Sequence, residues 1–76
     1  MVLDLIVHKT DDGYNAEIPG IKGCESWAHT ADDAIENVLE LAVFYLKLKS
    51  KKELKIDKAR AGKNKDIYKL LFSKSG

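Results

Sequence analysis

The sequence contains one cysteine, Cys24, so the chain cannot form an internal disulfide, and a small fold stapled by disulfide bridges is excluded. Its longest unbroken apolar run, residues 41–46, is far shorter than the roughly 20 residues of a membrane-spanning helix. The N-terminal residues carry no basic segment and include Asp4, which argues against a signal peptide. These absences favour a cytoplasmic protein without a membrane segment.

The remaining composition is that of a small folded domain. Of the 76 residues, 45% are hydrophobic and 33% are charged. A chain of this size removes only about 60% of its unfolded surface from water, so its core is small. Because apolar surface would then stay uncovered, we expect a homodimer or a higher homo-oligomer.

The net charge of +1 hides a division along the chain. Residues 1–46 carry nine carboxylates and two lysines, a net charge of −7. Residues 47–76 carry eleven lysine and arginine side chains and three carboxylates, a net charge of +8. This asymmetry indicates that the two halves face different partners, or each other.

Alternation of apolar and polar residues predicts three short strands, at 2–9, 14–18 and 24–28. Asp12-Gly13, between the first two strands, is typical of a tight hairpin turn with positive backbone φ angles. The stretch PGIKG, residues 19–23, ends the second strand, because proline has no amide donor and glycine tolerates left-handed backbone. We therefore interpret this corner as structural and not catalytic.

A helix is predicted at 31–49, because Thr30 is a good N-cap and apolar residues then recur at spacings of three and four. Residues 50–66 are polar, basic and weakly periodic, which indicates a linker. Residues 67–72 suit a closing strand or a helical turn, and their β-favouring side chains favour the strand. The prediction is one α+β domain over 1–76, β-β-β-α-β, with an antiparallel sheet and one helix on a face.

Candidate catalytic residues are few. Cys24 and His29 are a possible thiolate and base, but no third orienting group is evident, which favours structural roles. Clustered carboxylates can hold the cations of a two-metal nuclease, yet turn and solvent-facing positions account for the acids here. Those acids are Asp4, Asp11, Asp12, Glu17 and Glu25. We predict no enzyme activity, no cofactor and no metal site.

Two features are candidates for binding. Trp27 lies either on an outer sheet face, where a large aromatic marks a contact surface, or in the core if the strand register is reversed. The basic segment 47–65 is either a solvated connector or a segment that binds phosphates weakly. Its candidate nucleic-acid-binding residues are Lys51, Lys52, Lys55, Lys58 and Arg60.

Residues 12–46 resemble the HicB-like antitoxin family. The resemblance lies in DGYNAEIPGIKGC, in HTADDAIENV and in the helix end FYLK. It implies a partial ribonuclease-H-like fold without ribonuclease activity, in a protein that binds and silences a small basic mRNA-cleaving toxin, HicA. Many members add a DNA-binding domain, for which too few residues follow residue 50, so we expect a short member.

The charge division and this resemblance together predict a partner surface. A protein that binds RNA presents cations, and the acidic N-terminal half offers the complementary field. The predicted contact residues are Glu17, Glu25, Trp27, Asp32 and Asp33. The alternative is a solitary regulatory or nucleic-acid-binding protein that uses the basic C-terminal third.

Overall fold

The computed structural model describes residues 2–49 and 54–72, which form one helix and five strands. Three strands come first, then the helix, then two more strands. They are β1 (Val2–Lys9), β2 (Tyr14–Glu17), β3 (Glu25–Ala28), α1 (Ala31–Tyr45), β4 (Leu54–Ala61) and β5 (Lys65–Phe72). The strands pair antiparallel in the order β3-β2-β1-β5-β4. The predicted α+β architecture, an antiparallel sheet with one helix, is therefore confirmed.

The core lies between α1 and one face of the sheet. The helix contributes Ala34, Val38 and Ala42, whose buried side chains face β3, β2 and β1. The alternating apolar residues of the strands point at them, which is why these segments form half-buried strands. The buried strand and loop residues in this cluster are Leu5, Val7, Ala16, Ile18, Cys24 and Leu70. We call this side of the sheet the covered face and the opposite side the open face.

The predicted linker at 50–66 is wrong, because β4 lies within it and β5 begins at Lys65. Apolar alternation in the sequence did not reveal β4, because this strand lies at the edge of the sheet and its residues 57–61 are all exposed. Only Leu54 and Ile56, at the start of β4, are half-buried and pack against the core, and this alternation is too short to reveal the strand. The predicted closing strand at 67–72 belongs to β5, whereas residues 50–53 lie outside the described residues.

Helix α1 begins as predicted and ends earlier. The backbone N–H of Asp33 donates to Thr30 Oγ1 at 3.1 Å, which is the expected N-cap bond. The helix stops at Tyr45 and not at residue 49, because Lys47 takes a left-handed φ of 56°. The N–H groups of Lys47 and Leu48 then donate back to Phe44 and Val43 carbonyl oxygens at 3.3 and 3.0 Å. This is a Schellman ending without the usual glycine. No helix among residues 2–49 and 54–72 has both the length and the apolar character needed to span a membrane.

The two glycine turns have different causes. In the corner after β2, Gly23 has a φ of +81°, as predicted, whereas Gly20 does not have the left-handed φ predicted for it. Gly13 does not have a positive φ, so the predicted reason for this glycine is wrong. A Cβ atom at Gly13 would collide with the Trp27 ring and with the Ala28 carbonyl oxygen. Gly13 is required by close packing under β3.

Candidate binding surfaces

Cys24 and His29 have separate partners. The Cys24 side chain is buried in the core, with Sγ 3.7 Å from the Val38 carbonyl oxygen. Loss of solvent raises the pKa of the Cys24 thiol above its ordinary value of 9.0, so the sulfur is kept neutral. His29 lies at the surface, with Nδ1 3.4 Å from the Asp12 carbonyl oxygen. This is not the arrangement of an activated thiolate and its base.

The acidic residues compared with nuclease sites are dispersed. Within the described residues, no three or more His, Cys, Asp or Glu side chains are grouped so that they could hold a metal ion. Asp4 Oδ1 accepts from Lys69 Nζ at 2.6 Å, and Glu17 Oε1 is 3.0 Å from His8 Nε2. Asp11 and Asp12 lie in the exposed loop between β1 and β2.

The open face has an apolar centre. Directly opposed residues of an antiparallel pair point to the same side, so the register assigns each residue to a face. Val2 lies opposite Leu71 and Ile6 opposite Ile67, on the adjacent central strands β1 and β5. Val2 is 53% exposed, the other three are half-buried, and none of the four packs against the core. Within the described part of the chain, no helix or strand packs over these four side chains.

Charges on the open face are divided by sign. On the β2–β3 side, Glu17 lies directly opposite Glu25, an arrangement of like charges that costs stability. On the other side, β5 and β4 carry four cations and one carboxylate on this face. They are Lys65, Lys69, Lys55, Arg60 and Asp57. The open face is therefore acidic along one edge, apolar in the middle and basic along the other edge.

Trp27 lies on the open face, which settles the two alternatives in favour of an exposed position, with 42% of the residue accessible. The indole is nevertheless engaged. Its Nε1–H donates to Thr10 Oγ1 at 3.1 Å, and its ring lies over Gly13. His29 packs edge-on against it with 4.8 Å between ring centroids. Trp27 thus holds the β1–β2 loop in place.

The outer side of α1 forms an acidic ridge that ends in an aromatic residue. The acidic helix ridge consists of Asp33, Glu36, Glu40 and Phe44, which are all exposed and follow one another at spacings of three and four. Phe44 is 77% exposed, and Tyr45 packs edge-on beside it at 5.8 Å. Sequence reasoning did not single out Phe44. The signal was present, because Phe44 lies four residues after Glu40 and off the buried stripe of the helix.

The predicted partner residues fall on two surfaces. Glu17, Glu25 and Trp27 share the open face. Asp32 and Asp33 lie in the first turn of α1, beyond the covered face. The five residues therefore do not form one patch, and the acids of α1 are separated from those of the strands by the sheet itself.

The predicted nucleic-acid residues are also divided. Lys55 and Arg60 lie on the open face, whereas Lys58 lies on the covered face, opposite Tyr68. Lys58 Nζ is 3.6 Å from Asp66 Oδ2 and 5.9 Å from the centroid of the Tyr68 ring. Lys51 and Lys52 lie outside the described residues.

Comparison with known proteins gives a weak similarity. Over 46 residues the chain is 33% identical to the "UPF0150 protein" of Helicobacter pylori. The aligned residues make up 60% of this chain and 64% of that protein. That printed name states neither an activity nor a partner. No family model and no solved structure matches the chain.

Proposed function

We propose that this chain is an antitoxin-like protein-binding module that neutralises a small basic RNA-cleaving protein of the HicA type. The observation that carries the proposal is the acidic helix ridge, a row of carboxylates ending in a phenylalanine that is 77% exposed. The resemblance of residues 12–46 to HicB-like antitoxins supports the class of partner. The ribonuclease-H-like relationship and the absence of ribonuclease activity are part of this proposal.

The ridge provides two different contributions to binding. Its carboxylates attract a cationic surface from a distance and speed encounter, an effect that salt weakens. Phe44 is an apolar anchor that gains free energy when a partner removes it from water. A partner that binds RNA must present cations near its RNA surface, so covering those cations would also block RNA access.

The ridge fits this role better than Trp27 does. The indole of Trp27 already donates to Thr10 and packs against His29, so partner binding would gain less new contact there. Among the described residues, the ring of Phe44 packs against one other aromatic ring, that of Tyr45. Phe44 is also much more exposed than Trp27. We therefore place the anchor at Phe44 and keep Asp32 and Asp33 in the partner surface.

The test is binding kinetics by surface plasmon resonance against the product of an adjacent small basic gene. The triple variant Asp33→Asn, Glu36→Gln, Glu40→Gln should associate more slowly and show a flatter salt dependence. Phe44→Ala should leave association nearly unchanged and speed dissociation by about tenfold or more. Addition of the wild-type chain should stop RNA cleavage by the partner.

A matched control is Asp57→Asn on the open face, which removes one carboxylate far from the ridge and should leave both rates unchanged. Unchanged kinetics in the ridge variants, with binding lost in Glu25→Gln or Trp27→Ala, would move the interface to the open face. Absence of any binding to the product of the neighbouring gene would contradict the antitoxin proposal itself.

The alternative function is nucleic-acid binding by the hairpin of β4 and β5. It is favoured by the exposure of β4 and by the cations Lys55, Arg60 and Lys65 on one face. It is weakened because Asp57 lies among them and because Lys58 points to the other face. No aromatic side chain of β4 is available to stack on bases, since its sequence is LKIDKARA.

A further inference from the structure

We infer that the open face is the docking site for a second copy of this chain, in a twofold dimer whose sheets pack face to face. The inference does not depend on the proposed function. It rests on one row of side chains that runs across the sheet in register. Glu25 is opposite Glu17, Glu17 opposite Ile6, Ile6 opposite Ile67, and Ile67 opposite Arg60.

This row of side chains is complementary in charge to the same row read in the opposite direction. It reads acid, acid, apolar, apolar, cation from β3 to β4. A twofold axis parallel to β1 and β5, and midway between them, reverses the strand order of the facing sheet. Glu17 then faces Arg60 of the second copy, and Ile6 faces Ile67 of the second copy. An axis running across the strands would instead place Glu17 against Glu17, which like-charge repulsion disfavours.

The neighbouring rows agree with the same axis. Val2 would meet Leu71 of the second copy, and Asp4 would meet Lys69 of the second copy. Both pairs are already opposed within one chain, so the twofold operation repeats each contact between chains. Glu17, which is repelled by Glu25 in the monomer, would gain the cation of Arg60 on the facing β4, whereas β3 with Glu25 would lie beyond the edge of the facing sheet.

The size of the face indicates a dimer of modest affinity. Four strands overlap in this arrangement: β1 and β5, with eight residues each, meet in full, and β2, with four residues, meets half of β4. At about 3.3 Å per residue and about 4.8 Å between strands, the overlap is roughly 400 Å² per copy. Two such footprints total roughly 800 Å², the size of a weak, transient interface. Sheets packed in this way lie about 10 Å apart with their strands crossing at about −30°.

The experiment is a charge exchange followed by sedimentation velocity of the full chain. Wild-type protein should dimerise at tens of micromolar, whereas Glu17→Arg and Arg60→Glu should each weaken self-association by about tenfold or more. An equimolar mixture of the two variants should form dimers again, because each reversed charge then faces its opposite. This rescue also proves that both variants are folded.

Asp33→Arg is the matched control, since it makes the same kind of charge reversal on α1 and should dimerise as the wild type does. A wild-type chain that stays monomeric at several hundred micromolar would overturn the inference. So would a dimer that neither reversal weakens, or a mixture that shows no rescue. If Glu17→Arg abolishes binding of another protein while the wild type is monomeric, the open face belongs to that protein.

Discussion

Lys58 and Arg60 are two residues apart on β4 and yet face opposite sides of the sheet. A regular strand would place them on the same side. The β-bulge between them leaves Lys58 opposite Tyr68 and Arg60 opposite Ile67, so Ala59 has no partner on β5. The bulge therefore puts one cation beside Asp66 on the covered face and the other on the open face.

Deletion of Ala59 should be tolerated, because Lys58 and Arg60 would become neighbours in a regular ladder and keep their present partners. We expect the free energy of unfolding to change by less than about 1 kcal/mol. Urea denaturation measures it. The matched control is deletion of Lys69 from β5, which is paired on both sides and would shift every later side chain to the wrong face. Equal damage from the two deletions would contradict this account of the bulge.

Gly13→Ala should destabilise the protein by about 1–3 kcal/mol, because the new Cβ would collide with the Trp27 ring and the Ala28 carbonyl oxygen. Urea denaturation can be followed by the fluorescence of Trp27, the sole tryptophan. Gly20→Ala is the control, since its Cβ would lie 2.7 Å from Leu3 Cδ2, the end of a side chain that can move. A smaller loss at Gly13 than at Gly20 would show that Trp27 does not clamp the loop.

The sequence predicted those parts of the fold in which burial alternates locally. Strands β1 and β2 have one buried side, β3 alternates between exposed and half-buried residues, and Thr30 caps the start of α1. The local sequence pattern did not predict two features, strand β4 and the end of α1. Strand β4 packs only Leu54 and Ile56 against the core, and α1 ends at Tyr45 because Lys47 takes a conformation that usually needs glycine.

The candidate surfaces were harder to predict because they depend on long-range register. Glu17 and Arg60 belong to one row only because β1 pairs with β5. These two strands are far apart in the chain, since the paired residues Asp4 and Lys69 are separated by 65 positions. A β-bulge that moves the following side chains to the other side of the sheet cannot be predicted from local composition. The acidic helix ridge was accessible from helical spacing alone, whereas the engagement of Trp27 with Thr10 required the folded hairpin.

Cys24 should make the protein less stable at alkaline pH. Burial raises the pKa of its thiol above 9.0, so the folded state holds the proton more tightly than the unfolded chain does. The stabilisation is therefore fully present below about pH 9 and is lost as pH rises through the raised pKa. Chemical denaturation of wild type and Cys24→Ala at pH 7 and pH 10, under reducing conditions, measures it. The stability difference between the two proteins should shrink at pH 10, and a constant difference would show that the thiol is not desolvated.

The hairpin of β4 and β5 should bind nucleic acid only weakly and without sequence preference. About three phosphate contacts give a slope near −2.7 in log affinity against log salt, so affinity for duplex DNA should fall about twentyfold from 50 to 150 mM salt. Fluorescence anisotropy with two labelled duplexes of unrelated sequence measures both properties. Lys55→Gln should weaken the residual binding and flatten the slope, whereas Lys58→Gln should change little, because Lys58 is engaged with Asp66 and Tyr68. Tight binding to one duplex at 150 mM salt would favour the regulatory alternative over the antitoxin-like function, since a few surface lysines cannot discriminate between sequences.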